Sequence, residues 1–281
     1  MIQNNTVYYA IAQYPTPVFN TPEITSYFGG KEGDVLHLDE QNLMPAVETV
    51  LFPGARVQLL ELVKQPYIWK IKTSEYPYPI DLFIDERFVA REETTPIERQ
   101  AALPPPERIL ETMNQLENTR YIWGGNWPQG IDLLPKFYPS KRKLNRLKPL
   151  IKDTWHLRGV DCSGLLHYAT NGWTPRNTSS LVHFGKPVDI EGMTASEILK
   201  QVQPLDIIVW PGHVVCILNP TTTIESKRPE GVIKCDAHLR LSEIMKEKKP
   251  VNQWEASHGP SFVIRRWHPD HQNKRSQQTL H

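Results

Sequence analysis

A cysteine sits in the run Gly-Val-Asp-Cys-Ser-Gly-Leu-Leu that spans positions 159–166. Cys162 follows a glycine-containing turn and opens a segment with the character of an amphipathic helix. The backbone N–H groups and the dipole at a helix start favour a thiolate and are expected to lower the cysteine pKa. The same N–H groups can hold a developing oxyanion. Asp161 and Ser163 flank the cysteine as residues of the capping type. Further on, Pro211 and Gly212 precede His213, which stands at the start of the apolar run Val-Val-Cys-Ile-Leu. An imidazole beside a thiol can take its proton and later hand it to a leaving amine. Taken singly, each residue has a plainer reading. A lone cysteine is more often a packed core residue, and a lone turn histidine is more often solvated.

The words around these two residues change that balance. The segments RYIWGGNWPQG, GVDCSGLL, QPLDIIVWPGHVVCIL and TTIESKRPEGVIK follow one another in this order. In content and order they resemble the NlpC-type cell-wall cysteine peptidases, across residues 109–268. That resemblance implies a trimmed papain-like fold and cleavage of peptides next to γ-linked D-glutamate. It implies Cys162 as nucleophile and His213 as base. The third residue of that family, commonly histidine, falls on Glu225. A carboxylate there can accept the second imidazole N–H, fix the tautomer and stabilise the imidazolium. Tyr121 matches a tyrosine that lines the cleft near the reacting carbonyl. Ser163 matches a small residue that helps hold substrate, and Asp161 is grouped with it. Trp123, Gly124 and Gly125 match structural positions, with Trp123 expected in the core.

Two departures from the family pattern stand out. Pro128 to Arg158 intervene between the tyrosine word and the cysteine word. Between Lys136 and Lys152 this insert is dense in lysine and arginine and holds no acid. It reads either as a cleft rim that attracts acidic peptides or as a solvated loop. The family word Pro-Arg-Asp is here Pro175, Arg176 and Asn177. In relatives with an N-terminal barrel that Asp helps bind a free peptide amine. Asn177 can still hydrogen-bond an ammonium but lacks the charge.

Further elements must position these groups. Residues 1–95 hold short alternating runs (VYYAIAQY, DVLHL, ARVQLLELV, YIWKIKT, IDLFI) between turn residues, a pattern of small all-β folds. Their order resembles a bacterial Src-homology-3-like domain. By that resemblance the barrel closes one end of the cleft, with Glu48 and Tyr78 as candidate contacts for a peptide amine; a wall anchor is the simpler alternative. Three consecutive prolines, Pro104 to Pro106, favour an extended, stiff stretch. Beyond them Ile109, Met113 and Leu116 recur at helical spacing. Strand-like runs follow at PLDIIVW, HVVCIL, TTTIES, GVIKC and SFVIRRW. The expected fold class is α+β: a small N-terminal β-barrel (1–95), a proline-rich linker (96–108), a papain-like domain with an antiparallel sheet and a nucleophile helix (109–268), and a polar tail (269–281).

Composition narrows the function classes. The net charge of +1 gives no global drive toward nucleic acid or a membrane surface. Three cysteines without a CxxC pair argue against a disulfide framework or a structural zinc. Cys216 and Cys235 read as packing residues. No metal or other cofactor is expected, and no obligate protein partner is inferred. No run approaches the roughly 20 apolar residues of a membrane span. The first residues lack a signal-peptide pattern. The chain as written is therefore expected to be made in the cytoplasm, with another export route open. The expected partner is peptidoglycan or its stem peptides, and the expected reaction is hydrolysis of an amide between γ-D-glutamate and a diamino acid. The alternatives are a non-catalytic cell-wall binding module, and an amidase or acyltransferase on the same scaffold.

Overall fold

The structure is a computed structural model that describes residues 8–28, 36–64, 66–143, 146–256 and 258–272. Its first half carries β1 (Tyr8–Ala12), β2 (Thr16–Phe19), α1 (Ile24–Tyr27), β3 (Val47–Leu51), β4 (Arg56–Lys64), β5 (Ile68–Lys72), β6 (Leu82–Asp85), β7 (Val89–Glu92), α2 (Pro106–Gln115), β8 (Asn126–Trp127) and α3 (Leu134–Phe137). There follow α4 (Pro149–Trp155), β9 (Gly159–Val160), α5 (Cys162–Ala169), α6 (Thr178–Leu181), β10 (Lys186–Pro187), α7 (Ala195–Gln201), β11 (Ile207–Trp210), β12 (His213–Asn219), β13 (Thr222–Lys227) and β14 (Gly231–Asp236). The chain ends in α8 (Ala237–Glu247), β15 (Lys249–Pro250), β16 (Ser261–Arg266) and α9 (Pro269–Gln272). Both large sheets are antiparallel throughout, apart from the short parallel pairing of β15 with β16, so the class is mixed α/β.

The chain forms two compact units, and they interleave in sequence. One joins the residues up to Ala101 with Ile122–Val160; the other joins Ala102–Tyr121 with the residues from Asp161 onward. A single boundary at 96–108 places 109–160 with the second unit, whereas 122–160 pack with the first.

In the N-terminal unit the strand order is β3-β2-β6-β5-β4-β1-β7. Alternation sets which side is inside: Val57 and Leu59 are buried, while Arg56 before them and Gln58 between them are half-buried. The expected barrel does not close, since among the described residues β3 and β7 are not paired. The outer edge of β3 is occupied otherwise. The Asn126 side chain donates to Val50 O and accepts from Val50 N, both at 2.8 Å, as a neighbouring strand would. The run DVLHL was expected to be a strand. Asp34 and Val35 lie outside the described residues, and from Leu36 on there is only a single bridge, to Phe28.

The insert 128–158 is not a solvated loop throughout. Its Ile131, Leu134, Tyr138, Trp155 and Leu157 join Phe19, Phe28, Val47 and Phe88 in one core cluster. The Trp155 indole donates to Tyr138 O at 2.8 Å, and the Tyr138 hydroxyl donates to Asp85 Oδ2 at 2.7 Å. The lysines and arginines that dominate the composition flank this apolar set. Gly159, expected within a turn ahead of Cys162, is paired with Trp127 in the small β8–β9 sheet.

In the C-terminal unit the sheet order is β10-β16-β11-β12-β13-β14. The proline run is extended at Pro105 and then passes directly into α2, where Pro106 needs no N–H partner at the first turn. Ile109 and Met113 are fully buried on the α2 face, as their spacing predicts. Val215 and Ile217 of β12 and Ile208 of β11 share a core with Ile198 of α7 and Leu241 and Ile244 of α8. α5 packs on β12 and β13. α2 and α5–α7 precede the consecutive strands β11–β14, in line with the sequence pattern of helices first and strands after, and α8 separates β14 from β16. The tail from residue 273 lies outside the described residues.

Candidate active site

The cysteine word folds as a capped helix start. Asp161 has extended backbone, and its Oδ1 accepts from Gly164 N at 2.7 Å, which satisfies one of the orphan donors of α5. Cys162 is therefore the first helical residue, and it is 8% exposed. The Asp161 carboxylate is also gripped by the Arg176 fork, with Nη1 to Oδ1 at 2.9 Å and Nη2 to Oδ2 at 2.6 Å. Arg176 Nη1 donates in addition to Ser163 Oγ at 2.7 Å. Asp161, Ser163 and Arg176 are all buried, so this is a charge-assisted cluster at the start of α5. The sequence pointed to Asp161 and Ser163 as substrate contacts; their polar atoms are engaged by Arg176 and by α5 itself.

His213 begins β12 after a two-residue turn. Trp210 pairs with His213 across the β11–β12 hairpin, and Pro211 with Gly212 forms its loop. Gly212 has φ +102°, the left-handed backbone that a Pro-Gly turn of type II requires at its second central position. The turn is tied down by Thr178 at the start of α6, whose Oγ1 accepts from Gly212 N at 2.9 Å. Asn177 is the residue that caps α6 and makes no side-chain cap bond there.

The backbone of this turn meets the cysteine. Cys162 Sγ lies 3.9 Å from Gly212 O, and the backbone N–H groups of Val214 and Ser163 are near enough to favour its ionised form. The sulfur is thus lodged against the main chain on both sides of His213. On the other side of the imidazole, His213 Nε2 is 2.6 Å from Glu225 Oε2. Glu225 is fully buried on β13. Arg240 of α8 completes its shell, with Nε donating to Oε1 at 2.6 Å and Nη2 to Oε2 at 2.9 Å.

Burial and charge set the protonation states. Burial pushes the Cys162 thiol up to about 12, and the charge of Asp161 adds to this; Arg176 and the two backbone N–H bonds offset only part of it. The expectation of a lowered thiol pKa is corrected on this point, because the sulfur is enclosed and the helix cap beside it is a carboxylate. Burial also pushes Glu225 up, but the hydrogen bonds and charges of His213 and Arg240 outweigh it, so the net shift is down. Tyr121 is raised by burial first and then by the charge of Asp161, and stays protonated at neutral pH. Burial raises Cys216 to about 12 as well, in keeping with a packing residue.

Cys162, His213 and Glu225 therefore come together, with Tyr121 within electrostatic range of Cys162. Glu48 and Tyr78 belong to the N-terminal unit. Glu48 accepts from the Asn20 side chain and from the Tyr76 hydroxyl, each at 2.7 Å. Tyr78 is 42% exposed and lines a concavity of about 640 Å³ with Tyr9, Arg56 and Ile80. Trp123 was expected in the core and is 44% exposed. Gly124 beside it has φ +69°, and a Cβ there would lie 2.6 Å from Val47. Two groups escaped the sequence reading. Arg240 was missed together with α8, although Asp236 as a cap and Ala237, Leu241 and Ile244 at helical spacing were legible signals. The Arg176 fork on Asp161 had no local signal. Among the described residues no group of three or more His, Cys, Asp or Glu side chains is arranged to hold a metal ion, and no helix is long and apolar enough to cross a membrane.

No family model matches the sequence. No curated protein matches it at a significant level either. Solved structures similar to the chain include an NlpC/P60 family protein from Bacillus cereus, with 13% identity and TM-score 0.36, covering 95% of this chain and 65% of that one. NlpC1 from Trichomonas vaginalis has 12% identity and TM-score 0.36, covering 95% of each chain. The P60 domain of an antigen from M. avium subspecies paratuberculosis has 20% identity and TM-score 0.32, covering 47% of this chain and 84% of that one.

Proposed function

We propose that the C-terminal unit is a cysteine peptidase that hydrolyses an amide by acyl transfer. The observation that carries this reading is the lodging of Cys162 Sγ against the main chain on both sides of His213, while His213 Nε2 is engaged by the buried Glu225. Because Nε2 faces Glu225, Nδ1 is the ring nitrogen assigned to proton transfer.

With the thiol held neutral by burial, proton transfer accompanies attack. The S–H proton passes to His213 Nδ1 as sulfur bonds to the carbonyl carbon. The C=O pair moves onto oxygen. Gly164 N and Leu165 N are already used by Asp161, so the Cys162 N–H at the start of α5 is assigned to the oxyanion, with the protonated Tyr121 hydroxyl as a second donor. The C–N bond then breaks, His213 returns its proton to the leaving amine, and an acyl-thioester remains. Water, deprotonated by the same imidazole, releases the acid and restores the thiol. Glu225 holds the ring and stabilises the imidazolium.

The substrate class follows from the resemblance of the sequence words: a cell-wall stem peptide, cut between γ-D-glutamate and a diamino acid. The N-terminal unit is read as a Src-homology-3-like module, which its short antiparallel strands support. The test is digestion of purified sacculi and of soluble stem peptides, with products identified by mass spectrometry. Cleavage at that bond by the wild type and none by Cys162→Ala is expected. A chain that cuts no amide in either substrate would make it a binding module. Release or transfer of a different acyl group would make it an amidase or acyltransferase.

A further inference from the structure

We propose that Arg240 is a positioning residue that sets the proton affinity of the His213–Glu225 pair by holding both oxygens of the carboxylate; this deepens the peptidase reading and rests on it.

The geometry is specific. Arg240 Nε takes Oε1 at 2.6 Å and Nη2 takes Oε2 at 2.9 Å, so the plane of the guanidinium fixes the plane of the carboxylate. The same Oε2 lies 2.6 Å from His213 Nε2. One oxygen is thus shared between the imidazole and the fork. The fork is held in turn. Nη1 donates to Glu243 Oε2 at 3.2 Å, and α8 is capped by Asp236 and anchored in the core by Leu241 and Ile244. A lysine could neutralise Glu225, but as a point charge it could not orient both oxygens.

Among the described residues Arg240 is the cation bonded to Glu225. Cys216 on β12, Cys235 on β14 and Glu243 on α8 lie nearby, and Lys246 and Lys248 line a concavity with Trp210 and Arg240; the Lys248 Nζ is 5.1 Å from the centre of the Trp210 ring, which stands 5.3 Å from the His213 ring. Without Arg240, a buried carboxylate would have the imidazole as its main partner. The pair would then retain a proton to higher pH, on the ring or on the carboxyl, and a protonated pair cannot act as base. Arg240 lowers the proton affinity of Glu225 while leaving Oε2 aimed at the ring.

The test is an NMR titration of 15N-histidine-labelled full-length protein, with His213 assigned by His213→Gln. It is run beside the pH profile of stem-peptide cleavage. Arg240→Gln is expected to move the His213 midpoint upward by about one pH unit. The acid limb of kcat/KM should move with it. At neutral pH kcat should fall about tenfold while KM changes little. Arg240→Lys should recover part of both effects. Arg266→Gln, which breaks the buried pair with Asp206 elsewhere in the same unit, is the control and should leave the midpoint in place. If Arg240→Gln fails to fold, Arg240→Lys carries the test, with a smaller upward shift expected. An unchanged His213 midpoint in the folded Arg240 variants would overturn the proposal and reduce Arg240 to a structural counter-ion. The midpoint is read without substrate, so a failure of the peptidase reading leaves this result intact and distinguishable.

Discussion

Asp85 in the N-terminal unit and Glu225 in the C-terminal unit are both fully buried carboxylates paired with an arginine. Asp85 accepts from Arg87 Nε at 2.9 Å and from the Tyr138 hydroxyl at 2.7 Å. Glu225 accepts from Arg240 and shares its second oxygen with His213. The arginine removes the main cost of burying the charge in both places. The third partner makes the difference. Burial, with the charge of Asp85, holds the Tyr138 phenol protonated, so that cluster has one protonation state across the neutral range. The third partner of Glu225 is an imidazole, a group that can both take up and give back a proton. One carboxylate ties the insert to a core, and the other can support a proton transfer.

The largest expected effect isolates the chemistry from the packing. Cys162→Ala should reduce hydrolysis to background while thermal unfolding stays close to wild type, since the change removes one buried sulfur. Residual turnover in the folded variant would separate the Glu225 cluster from any thiol mechanism.

Next in size is the exchange of the two carboxylates for alanine. Each change leaves a half-buried arginine without its buried carboxylate and should cost about 1 to 3 kcal/mol. Glu225→Ala should also lower kcat in the folded fraction, by about 10⁴-fold or less, as for the carboxylate of a catalytic triad. Asp85→Ala should leave kcat of the folded fraction unchanged. Equal kcat losses in the two variants would erase the distinction drawn here.

A pH experiment reads the same contrast more finely. The folded-state pKa of Glu225 is depressed, so its stabilising contribution is present above the ordinary carboxylate value of about 4.3 and is lost as pH falls through the folded value. Acid melts of Glu225→Gln should start from a lower Tm but decline less steeply below that point than the wild type. For Cys162 the sign is opposite. Its pKa is raised to about 12, so the stability it contributes is present below the unfolded thiol value of about 8.5 and is lost as pH rises toward the folded one. Alkylation of Cys162 by iodoacetamide should therefore accelerate through the alkaline range. A rate already maximal at neutral pH would point to a standing thiolate instead of concerted transfer.

The smallest expected effect concerns the turn before His213. Thr178→Val removes the acceptor for Gly212 N, and Thr49→Val removes a hydroxyl bonded to Asn126 in the other unit. Each should cost about 1 kcal/mol. Only Thr178→Val should change turnover, by a few-fold. Matched activity in the two would mean the turn keeps its place without that bond.

Much of the site was legible because its signals are local. A capping aspartate before Cys162, a Pro-Gly turn before His213 and alternating apolar residues on β12 and β13 each act within a few positions. So does the α2 face, where Ile109 and Met113 are buried as their spacing predicts. Failures occurred where a partner came from far along the chain. The 128–158 insert read as a cleft rim or a solvated loop because Lys136 to Lys152 is dense in lysine and arginine, whereas Trp155 and Tyr138 contribute their rings to a core built mostly by residues before 90. The open edge of β3 depends on Asn126, distant in sequence, imitating a strand.

The sequence by itself marked the candidate side chains and much of the backbone geometry that presents them, since turns, caps and period-two strands follow from nearest-neighbour sterics and hydrogen bonding. Only the tertiary structure decided their protonation. The neutral thiol of Cys162 results from enclosure beside Asp161, and the ionised state of Glu225 from an arginine on a helix that follows it by a strand. Desolvation and charge pairing depend on what is near in space, and residue order does not carry that information.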